Sequence, residues 1–414
     1  MQAFGAQSLA NTAWAFAKLG FADVPLFESI SASSIKKSGE CSAQQLSNLA
    51  WAFSTLMLND TPLLAAISSA ALARIADFAS QNLTNTAWAF ATRLFQDLPL
   101  LSSISAAARR LLIHFITPEI ANMAWACAKL QFSSGPLLDA IAAESIRKLS
   151  QMDSMNLSNL VWAFATLGSE DEPLMESIAA AALSKLSEAG PQELANTAWS
   201  FSALALPHEP LLAAISSQAI PTIGDFASQH LSNTAWSIAA LGFEDAPLLA
   251  AISAAARRRL SAFDCQGLAN LAWAFSSLSV GDLPMLDAIS SASIPLIDSK
   301  CSRVSTHREA HSLALSILAI AWALAFSPPS DSSWRSMLWN NLRRLGQWVD
   351  ETRRQPTASR SDAPRMRRKP SSGIEEPQVL SDGPDMLVVC KPPGWEVDSA
   401  ANETDAQCLS AYLQ

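Results

Sequence analysis

Residues 9–20 read LANTAWAFAKLG, and the chain returns to this wording seven times. It appears as LSNLAWAFSTLM from residue 46, LTNTAWAFATRL from 83, IANMAWACAKLQ from 120 and LSNLVWAFATLG from 157. LANTAWSFSALA from 194, LSNTAWSIAALG from 231 and LANLAWAFSSLS from 268 complete the series. Trp14, Trp51, Trp88, Trp125, Trp162, Trp199, Trp236 and Trp273 are 37 residues apart every time. Three residues before each stands an asparagine: Asn11, Asn48, Asn85, Asn122, Asn159, Asn196, Asn233 and Asn270. A proline follows eleven residues after each tryptophan, from Pro25 to Pro284, and an isoleucine sixteen after, from Ile30 to Ile289. A fixed period of this length marks stacked supersecondary units, none of which can bury its apolar face alone.

Each unit reads as two helices. At about 100° per residue, Leu9, Ala13, Phe16 and Ala17 share one side of the first helix, Asn11 and Lys18 lie opposite, and Trp14 sits at the margin. Asp23, Asp60, Asp97, Asp171, Asp245 and Asp282 precede the prolines by two residues. They are placed to cap a second helix whose first turn tolerates proline. The predicted fold is therefore all-α, a right-handed α-solenoid of helix-pair repeats with eight regular units and a degenerate ninth. In the ninth, Trp322 comes 49 residues after Trp273, Ala319 replaces the asparagine, and Trp334, Leu338, Leu342, Leu345 and Trp348 recur at helical spacing. This unit, 303–350, is expected to cap a solenoid spanning 1–350. No such cap precedes the first unit, so the chain is expected to be cut at that end.

Composition agrees. Half of the 414 residues are apolar and 16% are charged, enough to bury a large core. The longest apolar run, Leu313 to Phe326, is too short to cross a bilayer, and no signal or transit peptide is visible. Six scattered cysteines without a C-x-x-C pair suit a reducing compartment rather than a disulfide scaffold. Residues 1–296 carry 14 basic and 23 acidic side chains, whereas 331–370 carry 10 and 4. Residues 351–376 have the Pro, Ser and Arg composition of a basic linker. Within 377–414, Met386 to Val389 reads as a short strand ended by a Pro-Pro-Gly turn.

The L-x-N-x-x-W-A-F-x-x-L block and the downstream P-L-L-x-A-I resemble the octotricopeptide repeat family, over roughly residues 7–302. That resemblance implies helical-pair arrays associated with RNA in chloroplasts and mitochondria. Leu387, Val388, Val389, Lys391, Pro392 and Gly394 resemble the opening strand of an RluA-type RNA pseudouridine synthase domain. The resemblance implies an isomerase in the parent protein, an RNA-modifying one. The family's nucleophilic aspartate, in an H-R-L-D motif, has no counterpart in this chain. No catalytic residue is therefore assigned, and Lys391, Pro392 and Gly394 count only as motif residues.

Asparagine identity across eight units favours a structural role, each amide bonding a main-chain group of the next unit and setting the stack. The tryptophans are expected to pack between repeats. Specificity is sought at positions that change. Six residues before tryptophan these include Ser8, Gln45, Asn82, Asn156 and His230. Four residues after they include Lys18, Thr55, Thr92, Lys129 and Thr166. Such positions can read successive bases of single-stranded RNA, or simply drift. Arg109, Arg110, Arg257, Arg258 and Arg259 are candidate phosphate contacts. His307 and His311, at i,i+4 spacing with Cys301 nearby, make a conceivable zinc set that lacks a fourth ligand, in an inserted segment of about 12 residues expected to be surface loop. No metal or cofactor is assigned. RNA is the expected partner, with no DNA specificity and no membrane. The other open reading is an armadillo-like scaffold holding a basic peptide, since the array is acidic.

Overall fold

The computed structural model describes residues 4–278, 283–326 and 333–354, together with strands at 378–383, 386–390, 395–396 and 407–408. The chain divides into two compact units, Met1–Arg354 and Gln355–Gln414.

The first unit is an α-solenoid. Its tryptophan-bearing helices are α1 (Ala6–Lys18), α3 (Ala43–Thr55), α5 (Ser80–Thr92), α7 (Thr117–Lys129), α9 (Ser154–Thr166), α11 (Pro191–Ala203), α13 (Ser228–Ala240) and α15 (Cys265–Ser277). Between them run α2 (Val24–Lys36), α4 (Thr61–Ala73), α6 (Leu98–Leu111), α8 (Gly135–Lys148), α10 (Glu172–Leu183), α12 (Glu209–Thr222), α14 (Ala246–Arg257) and α16 (Leu283–Cys301). The odd-numbered helices pack far more extensively on one another than the even-numbered ones do. Small residues permit this close approach. Ser54 and Ser202, three positions after tryptophan, donate to the carbonyls of Ala89 and Ser237 on the next odd helix at 3.0 and 2.8 Å. Ser276 repeats the bond to Ala323 at 3.1 Å, so α17 (His307–Phe326) continues the row. Helix α18 (Ser333–Arg354) packs on α16 and α17.

Local chemistry ends and restarts each helix. The residue six after tryptophan has a positive φ in seven units: Gly20, Gly168 and Gly242, but also Met57, Leu94, Gln131 and Ala205. The next amide bonds back to the last turn, as Phe21 does to Phe16 at 3.0 Å and Phe95 to Phe90 at 2.9 Å. Their rings meet at 5.8 and 5.5 Å, closing a Schellman-type stop. The expected aspartate caps form: Asp23, Asp60, Asp97, Asp171 and Asp245 each accept an amide three residues on, at 2.9 to 3.0 Å. His208 does the same through Nδ1 in the sixth unit at 3.1 Å. Asp282 lies outside the described residues.

A further device, not expected from the repeat motif, ties neighbours together. Twenty-three residues after tryptophan stand Lys37, Arg74, Lys148, Lys185 and Arg259. Each donates to main-chain carbonyls of the turn before its own unit's first helix. Arg74 binds Cys41 and Gly39 at 2.6 and 2.8 Å, and Arg259 binds Phe226 and Gly224 at the same distances. Lys148 binds Ile113 and Phe115 at 2.9 and 2.6 Å, Lys185 binds Ser150 at 3.1 Å and also Met152, and Lys37 binds Phe4 at 2.6 Å.

The twelve-residue insertion in the ninth unit is not a surface loop. It lengthens α16 and α17 to 19 and 20 residues, and His307 and His311 lie on the first turns of α17. Helix α18 runs through Arg354, so the first residues of the segment read as linker are helical. The rest of that segment lies outside the described residues, as do Lys391, Pro392 and Gly394. In the second unit, β1 (Gln378–Gly383) pairs antiparallel with β2 (Met386–Cys390), and β3 (Trp395–Glu396) pairs parallel with β4 (Gln407–Cys408).

Candidate nucleic-acid interface

Helical periodicity brings four positions of each odd helix onto one solvent-facing stripe: seven and three residues before tryptophan, the tryptophan, and four residues after it. The first is glutamine in six units, Gln7, Gln44, Gln81, Gln192, Gln229 and Gln266, with Pro118 and Met155 in the others, and all eight are exposed. The second is the invariant asparagine. The fourth holds Lys18, Thr55, Thr92, Lys129, Thr166, Ala203, Ala240 and Ser277. Across eight units the stripe carries two lysines and no carboxylate.

The asparagines do not do what their uniformity suggested. Among the described residues none of the eight side-chain amides has a hydrogen-bond partner in the chain, and seven are half-buried while Asn11 is exposed. The stack is held by the serine and Lys/Arg bonds to carbonyls instead, and the amides face outward with their donors and acceptors unspent. Indole N–H groups of the eight repeat tryptophans are likewise unbonded among the described residues. Packing does engage the indoles. Trp51, Trp88, Trp125, Trp162, Trp199 and Trp273 are half-buried against the core, the half-buried Trp236 meets Trp273 at 6.3 Å, and Trp14 is 42% exposed.

Two grooves open along this face. One, of about 390 Å³, is lined by Trp14, Gln44, Asn48, Gln81, Asn82 and Asn85, and so spans three units. The other, of about 330 Å³, is lined by Gln229, Asn233, Gln266 and Asn270 with Ser228, Ser232 and the Asp264 carboxylate beside them. Lys18 places its ammonium 5.7 Å from the Trp14 ring and 5.3 Å from Trp51, and Lys129 lies 6.0 Å from Trp125. Both cations thus stay on the stripe, held by the ring faces.

The changing positions divide. Of those four after tryptophan, Lys18 and Lys129 are exposed on the stripe, whereas the Thr92 hydroxyl bonds the Trp88 carbonyl at 2.9 Å and the Thr55 and Thr166 hydroxyls are buried without a partner among the described residues. Those six before are at the third helical position, where they cap. Gln45 Oε1 accepts from Ser42 at 3.0 Å, Asn82 Oδ1 from Ala79 at 3.2 Å and His230 Nδ1 from Ala227 at 3.2 Å. Burial holds the His230 imidazole below its usual pKa against the opposing charge of Glu193, which suits a nitrogen that accepts. Asn156 is buried, and Ser8 is exposed beside the first cap. Gln45, Asn82 and His230 thus serve helix starts, and of the five only Asn82 also reaches a groove.

The arginines are not on this face. Arg109 and Arg110 line an open cleft of about 750 Å³ with Ala106, Pro136, Asp139 and Ala140, on the even-helix side. Arg257 and Arg258 occupy the equivalent exposed positions of α14. Arg259 is spent on the Phe226 and Gly224 carbonyls. The structure therefore does not gather the basic clusters with the variable stripe. His307 packs its ring 5.4 Å from Trp348, with Nε2 3.3 Å from the Thr352 hydroxyl, and His311 is exposed.

Residues 1–135 match the family model described as RNA-editing substrate-binding complex 6 protein. That stretch takes in the first three units and the tryptophan helix of the fourth. No curated protein matches the sequence. Among solved structures, one titled "Circular tandem repeat protein with novel repeat topology and enhanced subunit contact surfaces" shares 16% identity, covers 84% of this chain and 94% of its own, and has a TM-score of 0.22.

Proposed function

We propose that this helical repeat protein binds single-stranded RNA along the glutamine, asparagine and tryptophan stripe of its odd-numbered helices. The observation that carries the reading is the row of eight asparagine amides that the fold leaves without partners. An amide both donates and accepts, so such a row can hold the phosphates, sugars and base edges of an extended strand. Tryptophan faces beside it offer stacking surface worth about 1–3 kcal/mol per base. The acidic character of the array does not oppose this, because the four stripe positions carry two lysines and no carboxylate, and Asp264 beside the second groove accepts the Gly267 amide as a helix cap. Many of the acids are occupied at helix N-termini, where they serve the fold. The likeness of residues 1–135 to an RNA-editing substrate-binding complex protein supports the same partner. Selectivity between bases falls to the fourth stripe position, through the exposed Lys18 and Lys129 and through the size of the side chain at Thr55, Thr92, Thr166 and their counterparts, rather than to the capping position. The likeness of residues 387–394 to a synthase opening supports a modifying enzyme as the context for such a binder, and reading the coding sequence beyond codon 414 for an H-R-L-D segment tests that part.

Replacing Asn48, Asn85, Asn233 and Asn270 together with alanine tests the binding face. Each amide removed costs about 0.5–1.5 kcal/mol of binding, so affinity for a labelled single-stranded RNA falls by more than about tenfold. The thermal midpoint stays within about 1 °C, since no internal bond is broken. Unchanged affinity, or nuclease-resistant capture of basic peptides that the same variant abolishes, overturns the reading in favour of a peptide scaffold.

A further inference from the structure

We infer that the outer face of α18 is a second RNA contact, one that supplies the phosphate attraction the repeat stripe lacks. The inference rests on the reading above for the identity of its ligand. Helix α18 buries Trp334, Leu338 and Leu345 and turns the opposite side to solvent. On that side Arg335, Trp339 and Arg343 stand at i, i+4 and i+8, one row along the helix. Trp339 is 55% exposed, unlike Trp334, which is buried in the core of the same helix. The Arg335 guanidinium lies 5.3 Å from the Trp334 ring centroid, and neither Arg335 nor Arg343 is in an ion pair among the described residues. Arg344, one residue on, is instead used for the fold, bonded to Asp298 and to Asn341.

Three arguments select the occupant. An exposed indole between two guanidinium groups outside any ion pair suits a base flanked by its phosphates, in the way single strands are gripped without sequence readout. The charge is complementary: α18 carries five arginines against two acids, in a chain whose repeat array is acidic. The position is the far end of the array, where α18 packs on α16 and on α17, the helix that carries Trp322. An anionic lipid surface also attracts basic, aromatic helices, and is the competing outcome.

The test uses the full chain, with R335Q/R343Q and W339A as separate variants, and a labelled single-stranded RNA of about 20 nucleotides read between about 50 and 200 mM salt. Since all three side chains are exposed, the variants keep the parent circular dichroism and melting curve. The double variant lowers the slope of log affinity against log salt by about 1.4, because two phosphates are no longer neutralised. W339A weakens binding by about 5- to 150-fold with the slope unchanged. The asparagine variant of the stripe, run alongside, separates the two claims. If it loses binding while both α18 variants keep parental slope and affinity, the α18 contact is overturned and the stripe stands. If only the α18 variants change, the stripe is overturned and α18 stands. No binding by the parent chain at low salt overturns both. Loss of binding to phosphatidylserine vesicles by R335Q/R343Q, with RNA binding unaltered, assigns the face to membrane and overturns the inference.

Discussion

Glu144 shows how one side chain is made tolerable inside a row of small apolar residues. It is 2% exposed in α8, with Lys148 Nζ 2.9 Å from one carboxylate oxygen and Arg147 on the other. Burial alone pushes its pKa up, but the hydrogen bonds and charges of Lys148 and Arg147 outweigh it and hold the carboxyl below the usual range. A group whose pKa is lowered by folding adds stability above its unfolded value and loses it as the pH falls through the folded one. The urea midpoint of the parent chain should therefore drop below about pH 4.3, and that of Glu144→Gln should drop less. Equal acid limbs would mean the carboxylate contributes nothing. The asparagines make a different point about single residues. Asn11 falls on the outward side of the helical wheel, so its exposure is legible in the sequence. Its uniformity reads as a packing constraint, yet a ligand backbone that repeats from unit to unit demands uniformity just as a neighbouring helix does. Only the folded arrangement separates the two.

Among the elements, the stops of the odd helices differ in how well they suit their residues. Gly20, Gly168 and Gly242 adopt the left-handed conformation freely. Met57, Leu94, Gln131 and Ala205 hold it with φ of 52–58°, at a cost of about 1–2 kcal/mol each. Leu94 is also exposed, with little packing to lose. Leu94→Gly should raise stability by up to about 1 kcal/mol, part of the relief being offset by a more flexible unfolded chain. A lower denaturation midpoint would show that Leu94 packs usefully. Helix number, helix order and the aspartate caps are legible because periodicity and capping are local. Even the role of Gln45 is written in Ser42-x-x-Gln45, a capping-box pattern that competes with base reading for the same side chain. The Lys/Arg bonds between units are not legible in the same way. A basic residue recurs 23 positions after five tryptophans, but nothing local says that its target is a carbonyl in the preceding turn.

At the scale of the whole array, stability is a sum of unit terms and of couplings between neighbours. Those couplings are not equal here. Each Lys or Arg at the last turn of an even helix binds the turn before its own unit, while Leu111, Thr222 and Leu296 stand at the same place in the third, sixth and eighth units. Removing the donor shared by two carbonyls costs about 1–3 kcal/mol, so Arg259→Met, which leaves the Phe226 and Gly224 carbonyls without it, should loosen the join between the sixth and seventh units. Native-state hydrogen exchange checks this: protection should fall in the amides of α12 to α14 and hold in those of α3 to α6. A uniform fall along the array would mean that the units unfold as one. The molecule is then less a spring of constant stiffness than a train with couplings of two grades. The join between the second and third units lacks the Lys/Arg bond but has Ser54 to Ala89, Ser68 to Asp97 and Asn82 to Ser47 in its place. An RNA strand bound as proposed would meet slack at the fifth-to-sixth and seventh-to-eighth joins, and there the spacing of contacts would adjust to the strand rather than the strand to the protein.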